Sequence, residues 1–142
     1  MNIFTRLKAY LRFKEAMRQA DAQLVKTGQR HYVLPGKFCD LVICDRHNFR
    51  GLRLKHYITN SHAKMAEVVR ECFYHTPYKS GTGAMEIDDL EKRWERYYVW
   101  YERERRRKAA HKVEQWKKRH ELRRKLRQAR KEVRNERREK KA

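Results

Sequence analysis

Two Cys-x2-His pairs, Cys44 with His47 and Cys72 with His75, come closest in this sequence to a metal-ligand pattern. Two thiolates and two imidazoles make a complete tetrahedral donor set for zinc, and two-residue gaps suit ligand pairs held in tight turns. The pairing is irregular, because each cysteine is grouped with a histidine rather than with the other cysteine. Packing is the competing explanation. Cys72 falls on a helical stripe with Met65, Val68, Val69 and Phe73, where a free thiol behaves as a small apolar side chain, and Cys44 ends a β-prone run. We take the packing reading and expect neither a metal nor a cofactor.

Catalytic patterns are missing. There is no glycine-rich phosphate loop of Walker or dinucleotide type, and no Ser or Cys stands in a nucleophile motif. His47-Asn48, Asn60 and His62 share residue types with HNH nucleases but not that family's spacing. Asp40 and Asp45 read as a strand-end charge and a helix cap rather than a metal-binding pair. The expectation is a protein that is not an enzyme.

What the sequence does carry is electrostatic chemistry. Its 142 residues include 38 Lys+Arg and 18 Asp+Glu, a net charge of +20. Residues 1–102 hold only +6 of this, whereas residues 103–142 hold 20 basic and 6 acidic side chains, a net +14. That segment has too few apolar residues to build a core. A phosphate polyanion binds such a segment with release of counterions, and the excess of Arg over Lys favours forked contacts. The candidate contacts are Arg103, Arg105, Arg106, Arg107, Lys117, Lys118, Arg119, Arg123, Arg124, Lys125, Arg127, Arg130 and Lys131, with Arg46, Arg50 and Arg53 as a secondary patch. DNA and RNA fit equally.

A membrane is not expected as a partner, since no apolar run nears ~20 residues and the basic segment has no lipid-facing side. The start of the chain shows no signal-peptide core, and three sparse cysteines fit a reducing cytoplasm.

Aromatic residues crowd the stretch just before the basic segment. Ile87, Leu90, Trp94, Tyr97 and Tyr101 recur at steps of 3 and 4, a heptad-like seam that would close over the folded part or over a second helix. Tyr98 and Trp100 lie off that seam and are expected to be exposed rings.

The elements that position these residues read as an α+β, mainly helical fold. Ile3, Leu7, Tyr10, Phe13, Met17, Ala20 and Leu24 predict an amphipathic helix over about 2–26, stopped by Gly28. Residues 31–34 and 38–44 predict a β-hairpin across Pro35-Gly36-Lys37. Asp45 would cap a short basic helix, and Asn60 or Ser61 another running to about His75. The predicted organisation is a small domain over 1–76, a Gly/Pro loop over 77–85, and a long helix over 86–142. That helix divides into 86–102, packed or seam-forming, and a projecting basic arm over 103–142. Five Glu-first pairs at i,i+4, among them Glu114–Lys118 and Glu121–Lys125, support the arm as a helix.

Tyr32-Val33-Leu34-Pro35, Leu41 to Arg50 and Lys55-His56-Tyr57-Ile58 together resemble small uncharacterised proteins encoded by bacterial phages and mobile elements. The resemblance covers about residues 30–58. It implies a phage or mobile-element setting, including the interior of a virion, and transfers no functional residue. The leading expectation is a non-enzymatic nucleic-acid-binding protein. The alternative is a structural or assembly protein, virion or scaffold-like, whose long helix binds a protein partner or a second copy.

Overall fold

In the computed structural model, which describes residues 1–54 and 64–142, the elements follow as α1 (Ile3–Thr27), β1 (Tyr32–Pro35), β2 (Leu41–Cys44), α2 (Phe49–Leu54), α3 (Met65–Glu71), β3 (Tyr74–His75) and α4 (Ile87–Glu139). The architecture is α+β and mainly helical, with a three-stranded antiparallel sheet in the order β2-β1-β3. The chain forms two compact units, Met1–Arg105 and Arg106–Ala142, and the division falls within α4.

Both ends of α1 are fixed locally. The Asn2 side chain accepts the Phe4 N–H at 2.8 Å, and Gly28, at φ 70°, turns the chain out while its N–H donates to the Leu24 carbonyl. The buried face matches the predicted one only in part, at Phe13 and Ala20, with Met17 packed at its edge. It is Ala9, Phe13, Ala16 and Ala20, whereas Ile3 and Leu7 are 80% and 53% exposed. Three alanines let neighbours approach the helix backbone, and the Tyr97 hydroxyl donates to the Ala9 carbonyl at 2.8 Å.

The hairpin closes through Gly36. A Cβ there would lie 2.8 Å from Val42 Cγ2 and 3.0 Å from the Asp40 carbonyl oxygen, so the turn needs glycine. The central strand β1 is buried on both faces, and its alternation sorts two layers. Val33 packs with α1, Phe73 and the aromatic part of α4. Tyr32 and Leu34 pack with Cys44, Phe49, Val68 and Cys72.

The helix expected to reach His75 ends at Glu71. Cys72 adopts an extended ψ of 155°, and Tyr74 and His75 then pair with Val33 and Tyr32 as a third strand. The helix begins at Met65 with Lys64 at its N-cap, later than predicted, and the predicted caps Asn60 and Ser61 lie outside the described residues.

In the first unit, α4 buries more than one seam. Leu90 and Trp94 are half-buried and Tyr97 and Tyr101 buried within their own domain, but Ile87 is 75% exposed and does not join them. Tyr98 and Trp100, expected outside, are buried instead. Trp100 lies 5.3 Å from the Phe73 ring, and Tyr98 packs on Trp94 beneath the Arg6 guanidinium. The reason is contact on two sides, since α1 covers one flank of α4 and Phe73 another.

Phe13 is fully buried, with the Trp94 and Tyr97 rings each 4.8 Å away. Phe13→Ala should lower the unfolding free energy of the first unit by about 3–5 kcal/mol, read from denaturant titration. His75 gives a second prediction. Burial first, and then the Arg30 guanidinium 2.7 Å from Nδ1, hold its imidazole below the ordinary 6.5. The stability contributed by neutral His75 is therefore complete above about 6.5 and is lost as pH falls through the lowered value. Thermal midpoints should drop from about pH 7 to about pH 5, and less steeply in His75→Gln.

Candidate nucleic-acid interface

None of residues 106–142 is buried. With no core to serve, the helical period in the second unit sorts charge instead. Glu114, Glu121, Glu132, Glu136 and Glu139 are spaced by 7, 11, 4 and 3 residues, all of which return to one face of a helix. Lys118 and Lys125 share that face, and their ammonium groups reach Glu114 at 2.8 Å and Glu121 at 3.0 Å. Those hydrogen bonds hold both carboxyls below the usual carboxylate range. These two ion pairs are thus spent on one side.

The opposite side carries a continuous stripe. Lys108, Lys112, Trp116, Arg119, Arg123, Arg127, Arg130, Arg134 and Arg138 follow one another at steps of 3 and 4, with no acidic residue on the line. Successive positions lie about 4.5–6 Å apart along the axis. Arg119, Arg123, Arg127 and Arg130 make no ion pair or side-chain hydrogen bond among the described residues. Their donors face solvent.

The candidates from the sequence thus separate. Arg119, Arg123, Arg127 and Arg130 lie on the stripe, and Lys117, Arg124 and Lys131 flank it. Lys118 and Lys125 sit on the glutamate face. Arg106 and Arg107 are exposed at the start of the second unit. Arg103 and Arg105 belong to the first unit, where Arg105 Nη2 is 3.1 Å from Glu102 Oε1 and Arg103 Nε is 3.9 Å from Glu104 Oε1. Arg46 and Arg50 are exposed there, and the Arg53 side chain lies outside the described residues. Lys108, Lys112, Trp116, Arg134 and Arg138 were missed. Charge density selects runs of adjacent bases, whereas the stripe is visible only when positions are compared at helical spacing.

The possible zinc donors are engaged elsewhere. Cys44 and Cys72 are fully buried in the layer beneath β1. Arg93 Nη1 donates to Cys72 Sγ at 3.3 Å, and the Arg30 guanidinium stands 2.7 Å from His75 Nδ1, so a cation lies against each of these two atoms. His47 is exposed, and its backbone N–H donates to Asp45 Oδ1 at 2.8 Å. Among the described residues no group of three or more His, Cys, Asp or Glu could hold a metal ion, and no helix is long and apolar enough to cross a membrane.

Burial, above all, pushes the Cys44 thiol up to about 12 and Cys72 to about 11. At about pH 8 the folded protein should leave both unalkylated by iodoacetamide, and denaturation should make both react, as read by mass spectrometry.

No known protein family matches the chain, and neither the curated proteins nor the solved structures contain a significant match. The functional reading therefore rests on the charge geometry of the second unit.

Proposed function

We propose that this chain is a non-enzymatic nucleic-acid-binding protein whose basic helical segment lies along a phosphate backbone. The observation that carries the reading is the basic stripe, broken only by Trp116 and free of acidic residues, set opposite a face that gathers all five glutamates of the second unit. A repeating anion is the natural complement to cations spaced evenly along a line. The pairs Glu114–Lys118 and Glu121–Lys125 support the helix without consuming the stripe. Arg46 and Arg50 offer a second, smaller phosphate contact on the first unit. DNA and RNA both satisfy this chemistry, in a cytoplasmic or a virion setting.

The assembly reading has one specific observation in its favour. On α1, Ile3, Phe4, Leu7 and Leu11 are each more than half exposed, and the last three line a groove of ≈760 Å³ with Leu41, Val42 and Ile43. Light scattering separates the readings, because apolar assembly survives high salt and phosphate binding fades.

Two pairs of substitutions remove equal charge from different faces. Arg119→Gln with Arg123→Gln should weaken binding to a 20-nucleotide probe at ~50 mM salt roughly tenfold. Lys118→Gln with Lys125→Gln should cost roughly threefold or less. A chain ended after Arg105, which retains the buried Glu104, should lose most affinity. Failure of the full chain to bind at ~50 mM salt would contradict the proposal.

A further inference from the structure

Trp116 is the one stripe position that is not a cation. It follows Lys112 by four residues and precedes Arg119 by three, so a phosphate chain tracking the stripe must pass over it. The indole is 64% exposed, and its ring is stacked on that of His120, with centroids 5.2 Å apart and planes 9° from parallel. An apolar ring of that size serves no core here. A stripe devoted to phosphates alone would gain from Lys or Arg at this position.

We propose that Trp116, steadied by His120, is a stacking platform for an unpaired base, and that the arm prefers single-stranded nucleic acid to duplex. This rests on the phosphate-binding reading and adds a substrate class to it. The physical basis is that a base in a duplex has both faces covered by its neighbours, whereas a single strand can turn one base onto an indole while its phosphates stay on flanking cations. Lys112, Arg119 and Arg123 supply those cations on the same face. The His120 ring lies nearly parallel against the indole and restricts its rotation, so less freedom is lost when a base arrives. Base–aromatic stacking tolerates any sequence, because every base has a π-face.

The test uses the full chain at ~50 mM salt with one 20-nucleotide DNA strand and the duplex of that strand with its complement. Trp116→Ala should weaken binding to the single strand about tenfold and to the duplex less than about twofold, with Trp116→Phe recovering most of the loss. The single strand should also quench tryptophan emission in the unaltered protein far more than in Trp116→Phe, since Trp100 is buried and Trp94 half-buried. If Trp116→Ala leaves both affinities unchanged, or lowers both alike, the platform is overturned while the phosphate-binding arm stands. If the unaltered chain binds neither probe, the arm itself is overturned, and the platform with it.

Discussion

A single backbone period, 3.6 residues per turn, decides what α4 does in each unit. In the first unit it gathers Arg93, Tyr97, Trp100, Tyr101 and Glu104 onto one broad buried face. In the second it draws the glutamates to one side and leaves the other to Lys and Arg. A segment of that composition has no tertiary core to order it, so local pairs such as Glu114–Lys118 hold the helix. They leave the repulsion along the basic stripe unrelieved. On the proposed reading, a polyanion laid on the stripe would relieve it and so tie the helix's stability to binding.

The first unit depends on an equally local arrangement. Arg93 is buried, and a buried cation is tolerable only with its donors satisfied. Its Nη1 donates to the Cys72 carbonyl at 2.6 Å and the Val69 carbonyl at 3.2 Å, while Nε meets Asp89 at 3.0 Å. Those carbonyls lie at the end of α3, where the helix gives way to β3. The arginine thus caps a helix C-terminus, holds the sheet's third strand beside α4, and covers Cys72 Sγ. The same contacts that build the fold bury Cys72 Sγ beneath a guanidinium.

The helices, the hairpin and the long α4 were legible because their periodicities and caps are local. What escaped the sequence depended on partners. The α1 stripe of large residues dominates any count of periodicity, but α4 supplies the bulky rings, so α1 meets them with Ala9, Ala16 and Ala20. Tyr98 and Trp100 looked surplus to a single seam and are buried because α4 is flanked on two sides. Two residues, Tyr74 and His75, carry too little signal to announce β3, and only the neighbouring β1 defines it. The basic stripe was present in the sequence all along, hidden by the denser runs of arginine beside it.

The central claim is that function lies in an ordered line of phosphate contacts. It is tested most directly by the affinity of the full chain for a 20-nucleotide strand, measured from ~50 to ~300 mM monovalent salt. The account predicts a linear fall of log affinity with log salt, with a slope of about −4 or steeper, corresponding to at least six single-strand phosphates neutralised at once. A slope shallower than about −1, or no binding at the lowest salt, would contradict it.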